Sequence, residues 1–182
     1  MSQDHSNNQF YRLTIQPVLQ GMENLVLILR KAEAHAAEKK IAPDALLNAR
    51  LHPDMFSLIQ QLQYVLYLPT DFAQHFADTA SPHVGYDEAS FADVYASLKI
   101  ATDYLKAIPP QRFAERASRI VPIFLDSSRG MTALDCAASI VMPDFYFHLT
   151  IAYAILRHNG VALGKQDFIG SYQSVELVEQ SR

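Results

Sequence analysis

Apolar residues recur along most of this chain at intervals of three and four, the spacing that places side chains on one face of an α-helix. The first series is separated by 4, 3, 4, 3, 4, 3 and 4 positions and comprises Tyr11, Ile15, Val18, Met22, Leu25, Leu29, Ala32 and Ala36. It predicts a long amphipathic helix with Pro17 in its first turns and an end near Lys40. A short helix over 43–48 follows, because Pro43 suits a first helical position.

A second helix is predicted to begin at about Pro53, again with proline at the first position. Its apolar face consists of Met55, Leu58, Leu62 and Val65. Pro69 then either kinks or breaks the helix, whose pattern continues to about Ala77. Residues 79–85 have the composition of a loop.

A third helix is predicted with Asp87 or Ser90 as its cap and Pro109 at its end. Its face consists of Phe91, Val94, Leu98, Ala101, Leu105 and Ile108. The next segment differs, because residues 120–125 are rich in β-branched and aromatic side chains and residues 126–130 are typical of a turn. We therefore expect a small β-hairpin that returns through 131–133.

The last long helix is predicted from about Leu134 to His158 and ends at Gly160, which suits a left-handed cap. Its face consists of Leu134, Ala138, Val141, Phe145, His148, Ala152 and Ile155. Residues 162–182 have no long periodic face and are expected to pack as an extended strip.

These elements predict an all-α protein: a four-helix bundle with a small β-hairpin or extended insertion between its third and fourth helices. Only 6 of 182 residues are glycine, which also favours helices over turn-rich β folds. We expect one domain over 1–182, with 1–8 and 171–182 peripheral or frayed, because no linker divides the chain.

Charge and cysteine content narrow the class of protein further. The 15 Lys and Arg residues against 19 Asp and Glu give a net charge of −4 without a basic block, which gives no footprint for nucleic acid. The one cysteine cannot form an intramolecular disulfide or a cysteine-ligated zinc site. The polar start of the chain and its short aliphatic runs predict no signal peptide and no membrane partner, so we expect a cytoplasmic protein.

Candidate chemistry centres on His148, a polar residue on the apolar face of the last helix. Asp144 lies four residues earlier, so a helix brings its carboxylate within reach of the imidazole. On the second helix, Gln61 and Asp54 share one flank and would meet this pair if the two helices are adjacent, and His52 would reach a site at the bundle end. The structural alternatives are a hydrogen-bonded buried pair or, if the apolar face is one position off, a solvated flank.

Other polar residues are weaker candidates. His35, His75 and His83 have polar surroundings and are expected to be exposed, and Cys136 has no basic neighbour to activate it. Nucleophile-elbow and phosphate-loop motifs are absent from the sequence. Six tyrosines on predicted helices would cover a subunit interface, line a pocket or be partly buried in the ordinary way: Tyr64, Tyr67, Tyr95, Tyr104, Tyr146 and Tyr153.

Several motifs resemble a bacterial family described only as a domain of unknown function, which is grouped with the DinB/YfiT-like four-helix bundles, regarded as metalloenzymes. These motifs are Leu51–Phe56, Pro143–His148, Ala152–Gly160, Leu163–Lys165 and Asp167–Phe168. The resemblance covers roughly Leu13 to Gly170 and implies the fold much more firmly than an activity.

Typical DinB-like proteins hold a metal with one histidine on the second helix and a pair on the fourth. By position, the resemblance implies that His148, Asp144 and Gln61 would be the ligands of any metal, with Asp54 a less favoured choice on the second helix. The sequence thus departs from three histidines at two positions, and amide oxygen is a weak ligand for zinc or nickel.

We therefore expect a metal-free protein with a polar pocket around His148 and Asp144 that binds a small molecule, assembled as a homo-oligomer, most simply a dimer. The alternative is a metal-dependent enzyme of the thiol transferase or isomerase type, which would use a divalent Zn, Ni or Mn ion at this site.

Overall fold

Four long helices form most of the core in the computed structural model of the chain, which describes residues 9–123, 126–172 and 174. They are α2 (Ile15–Lys39), α4 (Leu58–Ala73), α5 (Phe91–Ala107) and α8 (Met142–His158). The shorter elements are α1 (Gln9–Leu13), α3 (Pro43–Leu47), α6 (Pro110–Glu115), β1 (Ile120–Ile123), β2 (Asp126–Thr132), α7 (Ala133–Cys136) and α9 (Lys165–Ile169). The predicted all-α fold with a small hairpin is confirmed.

The long helices are arranged around the core in the order α2, α5, α4, α8. Helix α4 packs most extensively against α8, α5 contacts both α2 and α4, and α2 also contacts α8. Gly21 permits the approach of α2 to α8, since a Cβ atom there would lie only 3.1 Å from the ring of Phe145. The second and fourth predicted helices are therefore neighbours.

The predicted first helix is broken at Thr14, which has a φ of −121°. The Thr14 hydroxyl donates to the carbonyl of Phe10 over 2.6 Å, and α1 turns away to contact α6. As a result the Phe10 ring packs edge-on against Phe76 and Phe113, at centroid distances of 5.6 and 5.9 Å. The helix ends as predicted, with Lys40 in the left-handed conformation.

The predicted start of the second helix at Pro53 is wrong, because the helix begins at Leu58. Ser57 precedes it, and the Gln60 side-chain oxygen accepts hydrogen bonds from the Ser57 amide and hydroxyl over 3.0 and 3.1 Å. A local polar cap therefore decides the boundary, and residues 51–55 form turns.

Pro69 lies inside α4, which continues without a break to Ala73 and stops short of the predicted end at Ala77. The neighbouring Thr70 hydroxyl donates to the carbonyl of Leu66 over 2.9 Å. Pro69 has no N–H and cannot donate a hydrogen bond within the helix. The Thr70 hydroxyl provides an additional donor in the same turn.

The sequence does not predict helix α6, because Pro109 and Pro110 indicate only the end of the third helix. Pro110 instead occupies the first position of a new short helix, where its missing N–H costs least. The Phe113 ring is fully buried and anchors this helix to the core.

Helix α5 begins after Ser90, one of the two predicted caps. The Ser90 hydroxyl accepts a hydrogen bond from the Asp93 amide over 3.1 Å.

The hairpin is present but its turn was misplaced. Residues 126–130, predicted as a turn, belong to β2, and Asp126 pairs with Ile123. Phe124 and Leu125, predicted to continue the first strand, lie outside the described residues. The two strands pair antiparallel. Because the sheet consists of these two strands, each is an edge strand, which is the position expected for Pro122.

The last predicted helix is continuous from Ala133 to His158, but residues 137–141 form a π-helical turn. Pro143 follows two residues later. Its ring and missing N–H disturb the regular α-helical hydrogen bonding, and the wider π-helical turn accommodates that disturbance. By length and hydropathy this helix would suffice to cross a membrane, criteria that the central helix of a bundle also meets.

The expected extended strip after the bundle is wrong for residues 165–169, which form α9. The Asp167 carboxylate caps this helix by accepting from the Gly164 amide over 2.8 Å, and it also receives the Lys31 ammonium over 2.6 Å. Asn24 adds a bond to the Phe168 carbonyl over 3.0 Å. These contacts fasten α9 to α2, whereas 1–8 and most of 173–182 lie outside the described residues.

Candidate functional site

His148 is buried in the interface between α8 and α4, with 6% of its surface exposed. Its Nδ1 lies 2.6 Å from the side-chain oxygen of Gln61, which is itself 1% exposed. The packing of α4 against α8 therefore brings Gln61 to His148, two residues that are 87 positions apart.

The hydrogen-bond network fixes the orientation of Gln61. Its Nε2 donates to the Phe56 carbonyl over 3.3 Å, which leaves Oε1 to face the imidazole. An oxygen can only accept, so Nδ1 of His148 is the protonated nitrogen of the neutral ring. Nε2 of His148 is left with a free lone pair that can accept a proton or a hydrogen bond.

Asp144 approaches the other side of the ring from one turn away on α8. Its Oδ1 lies 3.3 Å from Nε2 of His148, and its side chain is 28% exposed. Burial lowers the pKa of His148, and the Asp144 carboxylate opposes that shift without cancelling it. At neutral pH a lone pair and a carboxylate thus face each other at the edge of the bundle.

Aromatic side chains surround the imidazole. Tyr64 stacks on it at a centroid distance of 4.6 Å, and the Phe56 ring lies nearly parallel to both, 5.2 Å from Tyr64 and 6.3 Å from the imidazole. Phe147 meets the imidazole edge-on at 5.3 Å and is 53% exposed. Phe56 and Phe147 are site residues that the sequence analysis does not single out. The position of Tyr64, one helical turn after Gln61, is a signal that places it near the site.

His52 and Asp54 lie on the exposed turn before α4 and bond to each other, with 2.5 Å between Nδ1 and Oδ1. In the described part of the chain, neither forms a hydrogen bond or an ion pair with His148 or Asp144. The structure therefore unites three of the five candidate residues, His148, Asp144 and Gln61, and places the other two in a separate surface pair.

The donor set does not fit the three-histidine metal centre that the DinB-like resemblance implies. Gln61 approaches Nδ1 of His148 whereas Asp144 approaches Nε2, so the three side chains do not converge on one point. Among residues 9–123, 126–172 and 174, no group of three or more His, Cys, Asp or Glu side chains is placed to hold a metal ion.

The sequence matches the model of the family described as "Domain of unknown function (DUF1993)" over residues 10–169. The chain belongs to the DUF1993 family. A crystal structure of a DinB family member protein from Shewanella denitrificans is similar, at 32% identity and a TM-score of 0.86, over 94% of this chain and 97% of that one. The predicted resemblance to a DinB-like family of unknown function is thus confirmed. The search of curated proteins gave no match.

The remaining candidates of this DUF1993 chain have structural surroundings. Of the three histidines expected to be exposed, only His83 is; His35 and His75 are half-buried. Cys136 is buried, and burial raises the pKa of its thiol, which makes it a poor nucleophile. The six helical tyrosines are all half-buried. Four clefts of about 350 to 700 Å³ lie elsewhere on the described chain, and His148 lines none of these four.

The state of His148 leads to a prediction about pH. Because burial lowers its pKa in the folded chain, the unfolded chain takes up a proton first as the pH falls below about 6.5. We expect the free energy of unfolding to decrease between pH 7 and pH 5, by up to about 1.4 kcal/mol per pH unit for this one group. Urea unfolding at several pH values measures the slope.

The His148→Gln variant should lose part of that slope. His75 supplies a control, because burial also lowers its pKa and His75→Gln should remove a separate part of the dependence. A slope that is unchanged in His148→Gln would mean that the folded chain does not hold this imidazole neutral.

Proposed function

We propose that this DUF1993 protein binds a small molecule at His148 and Asp144 without a metal cofactor. The observation that supports this function most directly is the hydrogen bond from Nδ1 of His148 to Gln61. It fixes the ring so that Nε2 faces the more exposed side of the site, beside the partly exposed Asp144. Orienting one ring nitrogen through the other is how proteins prepare an imidazole to bind a partner.

The surroundings of the imidazole also favour a ligand over a purely structural pair. Buried polar groups are normally satisfied within the protein. Here Nδ1 of His148 is bonded to Gln61. The nearest charged-group atom to Nε2 is Oδ1 of Asp144, 3.3 Å away, and this oxygen is itself an acceptor. Exposed Phe147 and Phe56 stand next to the imidazole, and binding sites commonly combine apolar walls with a few oriented polar groups.

A metal-dependent reaction has less support from the residues present. One imidazole and one carboxylate provide two ligands, and the amide oxygen of Gln61 is already bonded to Nδ1. Structural and catalytic zinc sites use three or four protein ligands. The similarity to a DinB family member supports the fold and adds no ligand to this set.

The test has two parts. Protein purified without chelator would be analysed for Zn, Ni, Mn and Fe, before and after loading, and we expect well under one metal ion per chain. A fragment library would then be screened in the presence of EDTA by the NMR shifts of His148 and Tyr64, and we expect a subset of fragments to move both.

His148→Ala is the test variant and His83→Ala is its matched control, since His83 is an exposed histidine elsewhere on the surface. Followed through the Tyr64 shifts, fragment binding should be lost in His148→Ala and kept in His83→Ala. Stoichiometric metal that disappears in His148→Ala would overturn the metal-free proposal. A complete absence of small molecules that shift His148 would overturn the binding function.

A further inference from the structure

We propose that the ligand of this site is an organic cation, whose ammonium or guanidinium group lies between Nε2 of His148 and the Asp144 carboxylate while its apolar part rests on Phe56, Tyr64 and Phe147. This inference rests on the proposed binding function and names the class of ligand. It follows from the hydrogen-bonding types, the charge and the exposed rings of the site.

The first argument is the pairing of two acceptors. The Nε2 lone pair of the neutral imidazole and Oδ1 of Asp144 are 3.3 Å apart, and neither can donate to the other. A hydroxyl group has one proton and can satisfy only one of them. A primary ammonium or a guanidinium has several N–H donors and can satisfy both at once.

The second argument is the charge. The Asp144 carboxylate forms no ion pair with a lysine or arginine in the described part of the chain; its one contact with a titratable group is His148. Because burial lowers the pKa of that imidazole, the ring does not neutralise the carboxylate. A cation would gain from this unbalanced charge, whereas an anion would be repelled.

The third argument is the apolar rim. Phe147 and Phe56 are 53% and 39% exposed, and Phe56 lies close to both Tyr64 and the imidazole, at centroid distances of 5.2 and 6.3 Å. Both exposed rings contact the imidazole, and contiguous exposed apolar side chains are a feature of binding surfaces. Aromatic faces also attract cations, so the rim and the carboxylate favour the same class of ligand.

Four probes of similar shape separate these contributions: benzylamine, benzyltrimethylammonium, benzyl alcohol and benzoate. Each would be titrated in EDTA at pH 7.5, followed by the NMR shifts of the His148 and Tyr64 rings. We expect benzylamine to bind with a Kd of about 1 mM, as its small size allows. Benzyltrimethylammonium keeps the charge but lacks N–H donors, so it should bind at least about tenfold more weakly, and the alcohol and benzoate more weakly still.

Two substitutions identify the contributing side chains. Asp144→Asn removes the charge and should weaken benzylamine about tenfold or more. Asp87→Asn is the matched control, because Asp87 is an exposed carboxylate paired with His83 in a surface loop, and it should change nothing. Phe147→Ala is a second variant that removes an exposed ring, and it should weaken benzylamine severalfold in a chain whose melting temperature is close to that of the parent.

Failure of this inference is distinguishable from failure of the binding function. Benzyl alcohol or benzoate binding as tightly as benzylamine, or an Asp144→Asn variant that still binds benzylamine normally, would overturn the cation class and leave the function standing. So would library fragments that bind at His148 when benzylamine does not. Only if neither library fragments nor the four probes shift His148 does the binding function itself fail.

Discussion

Phe145→Ala should destabilise the protein by about 3–5 kcal/mol, the largest effect of any substitution considered. The Phe145 ring has no exposed surface, and its edge fits against Gly21, where a Cβ atom would lie 3.1 Å away. Removing the ring leaves a cavity between α8 and α2 that rigid helix backbones cannot close. Urea unfolding monitored by circular dichroism measures the loss.

Phe147→Ala is the matched control, two residues along the same helix and 53% exposed. It should cost less than about 1 kcal/mol, because its ring leaves little buried area behind. Equal losses for the two variants would show that α8 does not present Phe145 to the core as described. Together with the benzylamine titration, the pair separates a ring needed for folding from a ring needed for binding.

Gln61→Leu is expected to destabilise the chain by about 1–3 kcal/mol and to invert the tautomer of His148. Leucine fills a similar space but removes the acceptor for Nδ1–H, and it leaves the Phe56 carbonyl without its donor. The imidazole proton then gains more at Nε2, where the Asp144 oxygen lies 3.3 Å away. Long-range ¹⁵N–¹H correlation spectra of the imidazole distinguish the two tautomers directly.

Gln63→Leu is the control for this prediction. Gln63 is also on α4 and donates to the carbonyls of Tyr86 and Glu88, so its loss should lower stability without changing the His148 spectrum. If wild-type His148 already carries its proton on Nε2, or if Gln61→Leu leaves the spectrum unchanged, then Gln61 does not orient the ring. The inverted tautomer should also abolish benzylamine binding, since Nε2 would no longer accept.

Local sequence patterns predicted the long helices because each buries one continuous stripe of side chains. The spacing from Ile15 to Ala36 needs no knowledge of the rest of the chain, and neither does the end near Lys40. The failures occurred where two local signals competed. At the start of α4, Pro53 predicts a helix start, whereas Ser57 with Gln60 satisfies the polar groups at the actual helix end.

Other features depended on partners distant in the sequence. Helix α6 is only six residues long, too short for periodicity to reveal, and Phe113 holds it in place by packing on Phe10 and Phe76. Phe10, on the far side of the break at Thr14, belongs to the same aromatic cluster. Helices this short are not stable by themselves and exist because tertiary contacts stabilise them.

The candidate site divides in the same way. The sequence alone determined that Asp144 and His148 share one side of a helix, because four residues make about one turn whatever the surroundings. Which second-helix residue reaches the imidazole depends on how the helices pack: Gln61 does, while Asp54 stays on a turn before α4 and bonds to His52. Which nitrogen of His148 is protonated also depends on that contact between helices. Periodicity fixes which residues share a face within one helix, whereas the packing of α4 against α8 fixes which residues meet between helices. The chemistry of this site depends on the contacts between helices.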